Sequence, residues 1–181
     1  MFSTGLFVLC RRSSSREYTS PPLCKSKSNN TRYKLGDPLD KTITTGPVIS
    51  SAAKSRIQSH IADALQKGAV DVTPKNESFN FAQTASQGNF LAPIVLTNVN
   101  HSMVTMNEET FGPVMPIMKV SSDEEAVSLM NDTHYGLTAS VWTKDIARGE
   151  ELIEGIEAGT VFINRCDYPS PVRCLSLLTK T

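Results

Sequence analysis

Residues 108–114 read Glu-Glu-Thr-Phe-Gly-Pro-Val, and the interpretation of the whole chain starts from this stretch. A glutamate supplies two acceptor oxygens that suit a sugar diol, and Phe111 supplies a flat apolar face on which a heteroaromatic ring can stack. Gly112 permits the close approach of a ligand or of another backbone, and Pro113 fixes the direction of the chain. Directly before an apolar strand, this combination favours dinucleotide binding. An acidic turn with one core phenylalanine is the alternative that remains open.

The residues after this stretch alternate regularly between strand and helix patterns. Apolar runs predict strands at 114–120, 137–142 and 160–164. Between them lie two helices, one beginning with a capping box of Ser122 and Glu125, the other capped by Asp145 and closed by Gly159. This alternation predicts a pair of βαβ units, and hence an α/β fold with a parallel sheet flanked by helices.

The residues before the stretch predict one longer helix. It begins at Ser50 or Ser51 and ends near Lys67, where Gly68 is placed to terminate it. Its apolar positions recur every four residues, at Ile57, Ile61 and Leu65. Residues 71–90 are polar and predict a loop with at most a short strand, and residues 94–96 predict a short strand.

Glu109 to Pro113 also resemble the Glu-x-Phe-Gly-Pro motif of the NAD(P)+-dependent aldehyde dehydrogenases. Further short motifs follow the order of that family: Gly36-Asp37-Pro38, Gly46-Pro47-Val48, Leu91-Ala92-Pro93, Tyr135-Gly136-Leu137, Val141-Trp142-Thr143-Lys144-Asp145 and Ala158-Gly159-Thr160-Val161-Phe162-Ile163-Asn164. Together they make residues 33–171 similar to part of the family's catalytic domain, a parallel sheet with helices. Residues 1–32 and 172–181 resemble no part of it, and the lack of any sustained period in residues 1–32 predicts a disordered or poorly packed segment.

The resemblance implies a reaction and three site residues. Members of the family oxidise an aldehyde to a carboxylic acid with NAD or NADP as the acceptor, after a cysteine thiolate attacks the carbonyl. Glu109 matches the glutamate that binds the nicotinamide-side ribose, and Phe111 matches the aromatic residue that packs near the nicotinamide. Asp167 falls in a segment that lines the family's substrate entrance. The alternatives are a solvated loop carboxylate for Glu109, a core ring for Phe111 and an exposed turn acid for Asp167.

No cysteine of the chain matches the family's nucleophile, so we assign no catalytic residue. Val8 stands where the nucleophile would be, and Cys10 comes two residues later, beside Arg11 and Arg12, whose charges favour a thiolate. A Cys10-based hydrolase or redox protein is therefore an open alternative. The remaining cysteines, Cys24, Cys166 and Cys174, match no nucleophile context. Their spacing predicts neither a disulfide framework nor a metal site.

Composition excludes several other classes of protein. The 18 basic and 18 acidic residues balance, which gives no general electrostatic attraction for nucleic acid. No apolar run approaches the roughly 20 residues that a membrane-spanning helix needs.

Residues 1–34 are basic and serine-rich with one acid, Glu17, which is typical either of a mitochondrial transit peptide or of a disordered basic tail. The compartment is accordingly predicted as cytoplasmic or mitochondrial.

The sequence therefore predicts a partial aldehyde dehydrogenase catalytic domain, acting on a small-molecule aldehyde by resemblance but inactive without a matching cysteine. The ends that match nothing, 1–32 and 172–181, favour a gene fragment or an altered splice product. A non-catalytic partner of an intact homologue is the alternative, because a truncated domain exposes sheet edges and apolar faces that invite association. We also expect marginal stability and a melting transition of low cooperativity.

Overall fold

A computed structural model of the chain describes residues 6–10 by their backbone, and residues 34–73 and 88–165 in full. The strands are β1 (Leu6–Cys10), β2 (Val70–Asp71), β3 (Ile94–Thr97), β4 (Val114–Ile117), β5 (Thr138–Trp142) and β6 (Thr160–Ile163). The helices are α1 (Ser51–Gln66), α2 (Val104–Asn107), α3 (Asp123–Asn131) and α4 (Ile146–Glu154). These residues form two compact units, one of residues 34–73 and 88–118, the other of residues 6–10 and 119–165.

The first unit holds a three-stranded sheet in the order β2-β3-β4. Strands β3 and β4 run parallel, with Ile94 opposite Val114, whereas β2 is antiparallel to β3. Its buried apolar cluster consists of Ala64, Ala69, Leu96, Val99 and Met103. The cluster draws on α1 and on the residues around β3, so it fixes the helix beside the segment that leads to β4.

Helix α1 begins and ends where the sequence predicts. The Ser50 hydroxyl accepts a hydrogen bond from the Ala53 N–H at 3.1 Å, which caps the first turn. At the other end Gly68 has a φ of 98°, a left-handed conformation that glycine adopts without a steric penalty. The N–H of Ala69 then returns to the Ala64 carbonyl at 2.9 Å. Both ends of α1 are therefore encoded locally.

The second unit holds a fully parallel sheet in the order β1-β5-β6. Helix α4 connects β5 to β6, which is one of the two predicted βαβ units. Its buried cluster consists of Ala126, Met130, Ala139, Val141, Leu152 and Ile156. The α/β fold class predicted from the sequence is confirmed, since each unit combines helices with parallel strand pairing.

The other predicted βαβ unit is wrong, because β4 and β5 belong to different sheets. Strand β4 pairs with β3, and β5 pairs with β1 and β6. Spacing along the chain predicts that a helix lies between two strands, but the choice of hydrogen-bonding neighbour depends on tertiary packing. Strand β4 is also shorter than predicted, since it ends at Ile117 rather than at residue 120.

The structure also differs from the sequence prediction at the end of α4 and within residues 1–32. Helix α4 ends at Glu154, with Gly155 as its C-cap, rather than at Gly159, whose N–H instead donates to the Gly136 carbonyl at 2.7 Å. Leu6–Cys10 forms a strand inside the segment 1–32 for which the sequence predicted disorder. Pairing with β5 supplies the backbone partners of that strand, and such long-range pairing is invisible to a local pattern. The boundaries after residues 32 and 171 stay predictions.

Within the described ranges, no helix combines the length and the apolar character required to cross a membrane.

Candidate functional site

The loop of residues 108–113 connects α2 to β4, and its backbone is held by short-range hydrogen bonds. The N–H of Glu108 donates to the Val104 carbonyl at 2.9 Å and closes α2. The Gly112 N–H donates to the Thr110 carbonyl at 2.8 Å, and the Val114 N–H donates to the Gly112 carbonyl at 2.9 Å. Two tight three-residue turns therefore bring the chain into β4, and they define the backbone path past Phe111.

The side chains of this loop differ in their exposure to solvent. Thr110 is 3% exposed, Glu109 is half-buried and Phe111 is 56% exposed. The exposure of Phe111 contradicts the alternative of a core ring and leaves an aromatic face available at the surface. The structure thus places Glu109 and Phe111, the two residues singled out for cofactor binding, on either side of a buried anchor.

Helix α1 supplies the surface against which this loop packs. A Cβ added to Gly112 would lie 2.5 Å from Cδ1 of the buried Ile57, so any larger residue at position 112 would require Ile57 or the loop to shift. One turn further along, His60 Nδ1 lies 2.9 Å from Thr110 Oγ1 in a buried hydrogen bond. The residue types at positions 57, 60, 110 and 112 therefore jointly determine where the loop runs.

The same face of α1 also holds the start of α2. Asp63 Oδ2 accepts a hydrogen bond from the Val104 N–H at 2.9 Å and caps that short helix. Lys67 Nζ pairs with Asp63 Oδ1 at 2.8 Å and donates to the Ser102 carbonyl at 2.5 Å. The hydrogen bond from Lys67, followed by the Val104 N–H, holds the pKa of Asp63 below its usual range. The segment from Ser102 to Gly112 is therefore attached to α1 at both ends.

His60 is the titratable group at the centre of these contacts. It is 8% exposed, and burial lowers the pKa of its imidazole below the usual range. The charges of Glu108 and Asp63 oppose this shift, and the charge of Arg56 adds to it. The neutral imidazole is consequently the form that the folded structure favours near neutral pH.

Sequence reasoning identified Glu109 and Phe111 but not the residues that support them. The sequence predicts no role for His60, Asp63 or Thr110. The available signal was the spacing of 57, 60, 63 and 67, which places these side chains along one face of a helix. The partners of that face lie more than thirty residues later in the chain, so the periodicity alone could not identify them.

The other residues considered in the sequence analysis lie either in β1 or outside the described residues. Cys10 is the last residue of β1, where its backbone pairs with Trp142. The predicted substrate-entrance residue Asp167 lies outside the described residues, as do Cys24, Cys166 and Cys174. Three positions before Asp167, Asn164 has a φ of 53°, and its amide exchanges hydrogen bonds with the backbone of Thr143. Over residues 34–73 and 88–165, no group of three or more His, Cys, Asp or Glu side chains could hold a metal ion.

A sequence profile of the aldehyde dehydrogenase family matches residues 19–173. This chain belongs to the aldehyde dehydrogenase family. The matched range begins before residue 33 and ends after residue 171, so it is wider than the range in which the sequence motifs were recognised.

Curated members of the family resemble the chain over most of its length. The betaine aldehyde dehydrogenase of Brucella anthropi is 36% identical over 137 residues, which cover 74% of this chain and 27% of that protein. The peroxisomal aminoaldehyde dehydrogenase 1 of Pisum sativum is 37% identical over 137 residues, which cover 76% of this chain and 26% of that protein. The chain thus spans about a quarter of the length of these relatives.

Solved structures of the family agree with the fold. The NADP-dependent glyceraldehyde-3-phosphate dehydrogenase of Bacillus halodurans, complexed with NADP, matches with a TM-score of 0.70 at 35% identity, over 82% of this chain and 29% of that one. The betaine aldehyde dehydrogenase of Staphylococcus aureus, in complex with NAD+, matches with a TM-score of 0.65 at 32% identity, over 77% of this chain and 27% of that one. Both cofactors therefore occur among the structures that this aldehyde dehydrogenase chain resembles.

Proposed function

We propose that the loop of residues 108–113 is the nicotinamide-side part of an NAD(P)+ site that serves the oxidation of an aldehyde to a carboxylic acid. Glu109 would accept hydrogen bonds from the hydroxyl groups of the ribose, and Phe111 would pack near the nicotinamide ring. The observation that carries the proposal is the exposed Phe111 beside the anchored Thr110. The complexes of the relatives with NAD+ and with NADP support it.

The residues of this chain suit that task for physical reasons. An ionised carboxylate offers only acceptors, which complement the donors of a diol, and a half-buried position strengthens such hydrogen bonds. An exposed phenylalanine gains by covering its face with another ring. The backbone of the loop is fixed by α1 before any ligand arrives, so little ordering entropy is lost on binding. When bound, the cofactor supplies the hydride acceptor.

We further propose that these 181 residues do not by themselves oxidise aldehydes. Val8 stands where the resemblance places the nucleophile, and none of the four cysteines has the matching context. The rate depends on a thiolate that attacks the carbonyl, so its replacement by valine removes the reacting atom. Incubation of the purified chain with a panel of aldehydes and NAD+ or NADP+ should yield no NADH or NADPH. Steady formation of reduced cofactor would contradict this proposal.

Cofactor binding is tested separately from turnover. Titration of the chain with NADH, followed by the fluorescence of the nicotinamide, should give a saturable signal that Glu109→Gln and Phe111→Ala each weaken about tenfold, as for the loss of one charge-assisted hydrogen bond or one ring contact. Glu150→Gln is the matched control, because Glu150 lies exposed on α4 in the other unit. Equal weakening by the control, or no effect of either site variant, would rule out this loop as the binding site.

Association with an intact homologue is the second candidate function, and strand β2 favours it. Among the described strands β2 lies at one end of its sheet. Val70 within it and Val72, one residue past its end, are 51% and 45% exposed. An exposed apolar edge strand can pair with another chain. Co-expression with an intact aldehyde dehydrogenase should give a complex that Val70→Lys with Val72→Lys disrupts. Failure to co-purify, together with unchanged activity of the intact enzyme, would refute this candidate.

A further inference from the structure

The hydrogen bond between His60 and Thr110 connects a titratable group to the two proposed cofactor-binding residues. His60 Nδ1 and Thr110 Oγ1 are 2.9 Å apart, and both residues are less than a tenth exposed. Thr110 lies between Glu109 and Phe111 in the chain. A constraint on Thr110 is therefore transmitted to both neighbours through one peptide bond on each side.

The direction of the side chains follows from this constraint. The chain enters the loop extended, with Glu108 at φ −111° and ψ 148°. Thr110 begins a tight turn that the Gly112 N–H closes on the Thr110 carbonyl, so the backbone of a Thr110 held inward sets the direction of Phe111. The observed exposure agrees, since Thr110 is buried and Phe111 is 56% exposed. Rotation of Thr110 away from His60 would alter the presentation of both neighbours.

Protonation of His60 acts on this arrangement through desolvation, because a protonated Nδ1 can still donate to the Thr110 hydroxyl. The site buries His60, and a protonated imidazole there loses most of its hydration. The charged groups around it are Glu108 from the loop, and Arg56 and Asp63 from α1 itself. Asp63 forms an ion pair with Lys67 and accepts a hydrogen bond from the Val104 N–H at the start of α2, so its charge is already partly compensated.

We propose that neutral His60 is a positioning residue, which holds Thr110 inward so that Glu109 and Phe111 face the cofactor, and that protonation of His60 loosens the loop of residues 108–113. This inference rests on the proposed function for its purpose, but the coupling itself is a property of the apoprotein. It defines a pH-sensitive element in a loop that itself contains no histidine.

The direction of the pH effect follows from linkage. Burial lowers the pKa of His60 in the folded chain, so between that value and the unfolded value of about 6.5 the unfolded state binds more protons. The stabilising contribution of neutral His60 is complete above about pH 6.5. It is lost as the pH falls through the window below that value. Acidification should consequently release the loop.

Hydrogen–deuterium exchange of the full chain without cofactor tests the coupling. The peptide that covers residues 108–114 contains the amides of Glu108, Gly112 and Val114, all hydrogen-bonded in the folded loop. After correction for intrinsic rates, exchange of this peptide should be about fivefold faster at about pH 5.5 than at about pH 7.5, as expected when the cost of burying the imidazolium opens the contact with Thr110. Peptides of β5 should show no such change.

Four variants separate positioning from mere packing. His60→Leu and Thr110→Val should each speed exchange at least about fivefold at about pH 7.5, and His60→Leu should add nothing further in the Thr110→Val background. His60→Asn, whose amide can occupy the position of Nδ1, should keep the protection and abolish its pH dependence. The control His134→Asn removes an exposed histidine from the other unit and should behave as the wild type.

The outcomes distinguish this inference from the proposed function. Additive effects in the double variant, or a pH dependence that survives in His60→Asn, would overturn the inference whether or not NADH binds. If His60→Leu fails to fold, Thr110→Val and His60→Asn still decide the matter. Absence of NADH binding together with the expected exchange pattern would refute the proposed function and leave the coupling of His60 to Thr110 intact.

Discussion

At the scale of single residues, Gly112 marks the closest approach of the loop to α1. An added Cβ would lie 2.5 Å from Cδ1 of Ile57, which is 2% exposed and has little room to move. Gly112→Ala should therefore lower the free energy of unfolding by about 1–3 kcal/mol, the usual cost of overpacking. Denaturation by urea, followed by circular dichroism, measures this change.

A second substitution identifies the cause. Ile57→Val removes Cδ1, so it should cost less in the Gly112→Ala background than in the wild type. The expected coupling in the double-mutant cycle is about 0.5–3 kcal/mol. Strict additivity of the two changes would show that the alanine methyl does not meet Ile57.

The ionisation of Asp63 should make the stability of the first unit depend on pH in the acidic range. Its hydrogen bonds with Lys67 and with the Val104 N–H lower its pKa, so its stabilising contribution is present above the unfolded value of about 4 and is lost at lower pH. Asp63→Asn should lower Tm at about pH 7, and the deficit should shrink below about pH 4. Glu150→Gln, on the exposed face of α4, serves as the control and should leave Tm unchanged at both values.

At the scale of elements, Arg148 joins α3 to α4. Its guanidinium contacts Asp123 Oδ2 at 3.0 Å, Glu124 Oε1 at 2.8 Å and Glu151 Oε2 at 2.8 Å. Those contacts, led by the one with Glu151, raise the pKa of Arg148 further above its already high value. The side chain of Asp123 is only 6% exposed, so its charge depends on nearby donors.

Arg148→Lys should lower the melting temperature of the chain although the charge is retained. A lysine ammonium is a point donor and cannot engage three carboxylates that a planar guanidinium reaches in different directions. The matched control is Arg56→Lys, the same change at an exposed position of α1. Equal melting temperatures for Arg148→Lys and the control would mean that the planar guanidinium of Arg148 stabilises the chain no more than a lysine ammonium does.

The elements themselves were predicted well where the signal is local. Ser122 caps α3 through the Glu125 N–H at 3.1 Å, as the capping box requires. The Glu125 carboxylate accepts in return from the Ser121 N–H at 2.7 Å. The Ser121 hydroxyl, followed by the backbone N–H groups of Ser121 and Ser122, holds the pKa of Glu125 below its usual range. The carboxylate therefore reaches the N-cap backbone that the capping box requires and also the residue before it, which the motif alone does not specify.

At the scale of the whole molecule, most of the buried apolar residues that the structure describes belong to two clusters, one in each unit. Each contains five or six small to medium side chains, so the hydrophobic contribution of either cluster is modest. We expect a broad thermal transition in which the calorimetric enthalpy exceeds the van't Hoff enthalpy. A single sharp transition with equal and substantial enthalpies would contradict this expectation.

The sequence by itself determined the family, the α/β class and the ends of α1, and it is the source of the prediction that Glu109 and Phe111 bind the cofactor. These features depend on short motifs, on caps and on periodicity, all of which act within a few residues of the chain. They require no knowledge of what the chain packs against.

Only the tertiary structure decided that β4 pairs with β3 while β5 joins β1 and β6. The same holds for the exposure of Phe111 and for the hydrogen bond from His60 to Thr110, whose partners are 50 residues apart in the chain. Contacts of this kind form when folding closes a long loop and buries both partners together. Their energy depends on shape and desolvation at a site that no local pattern contains.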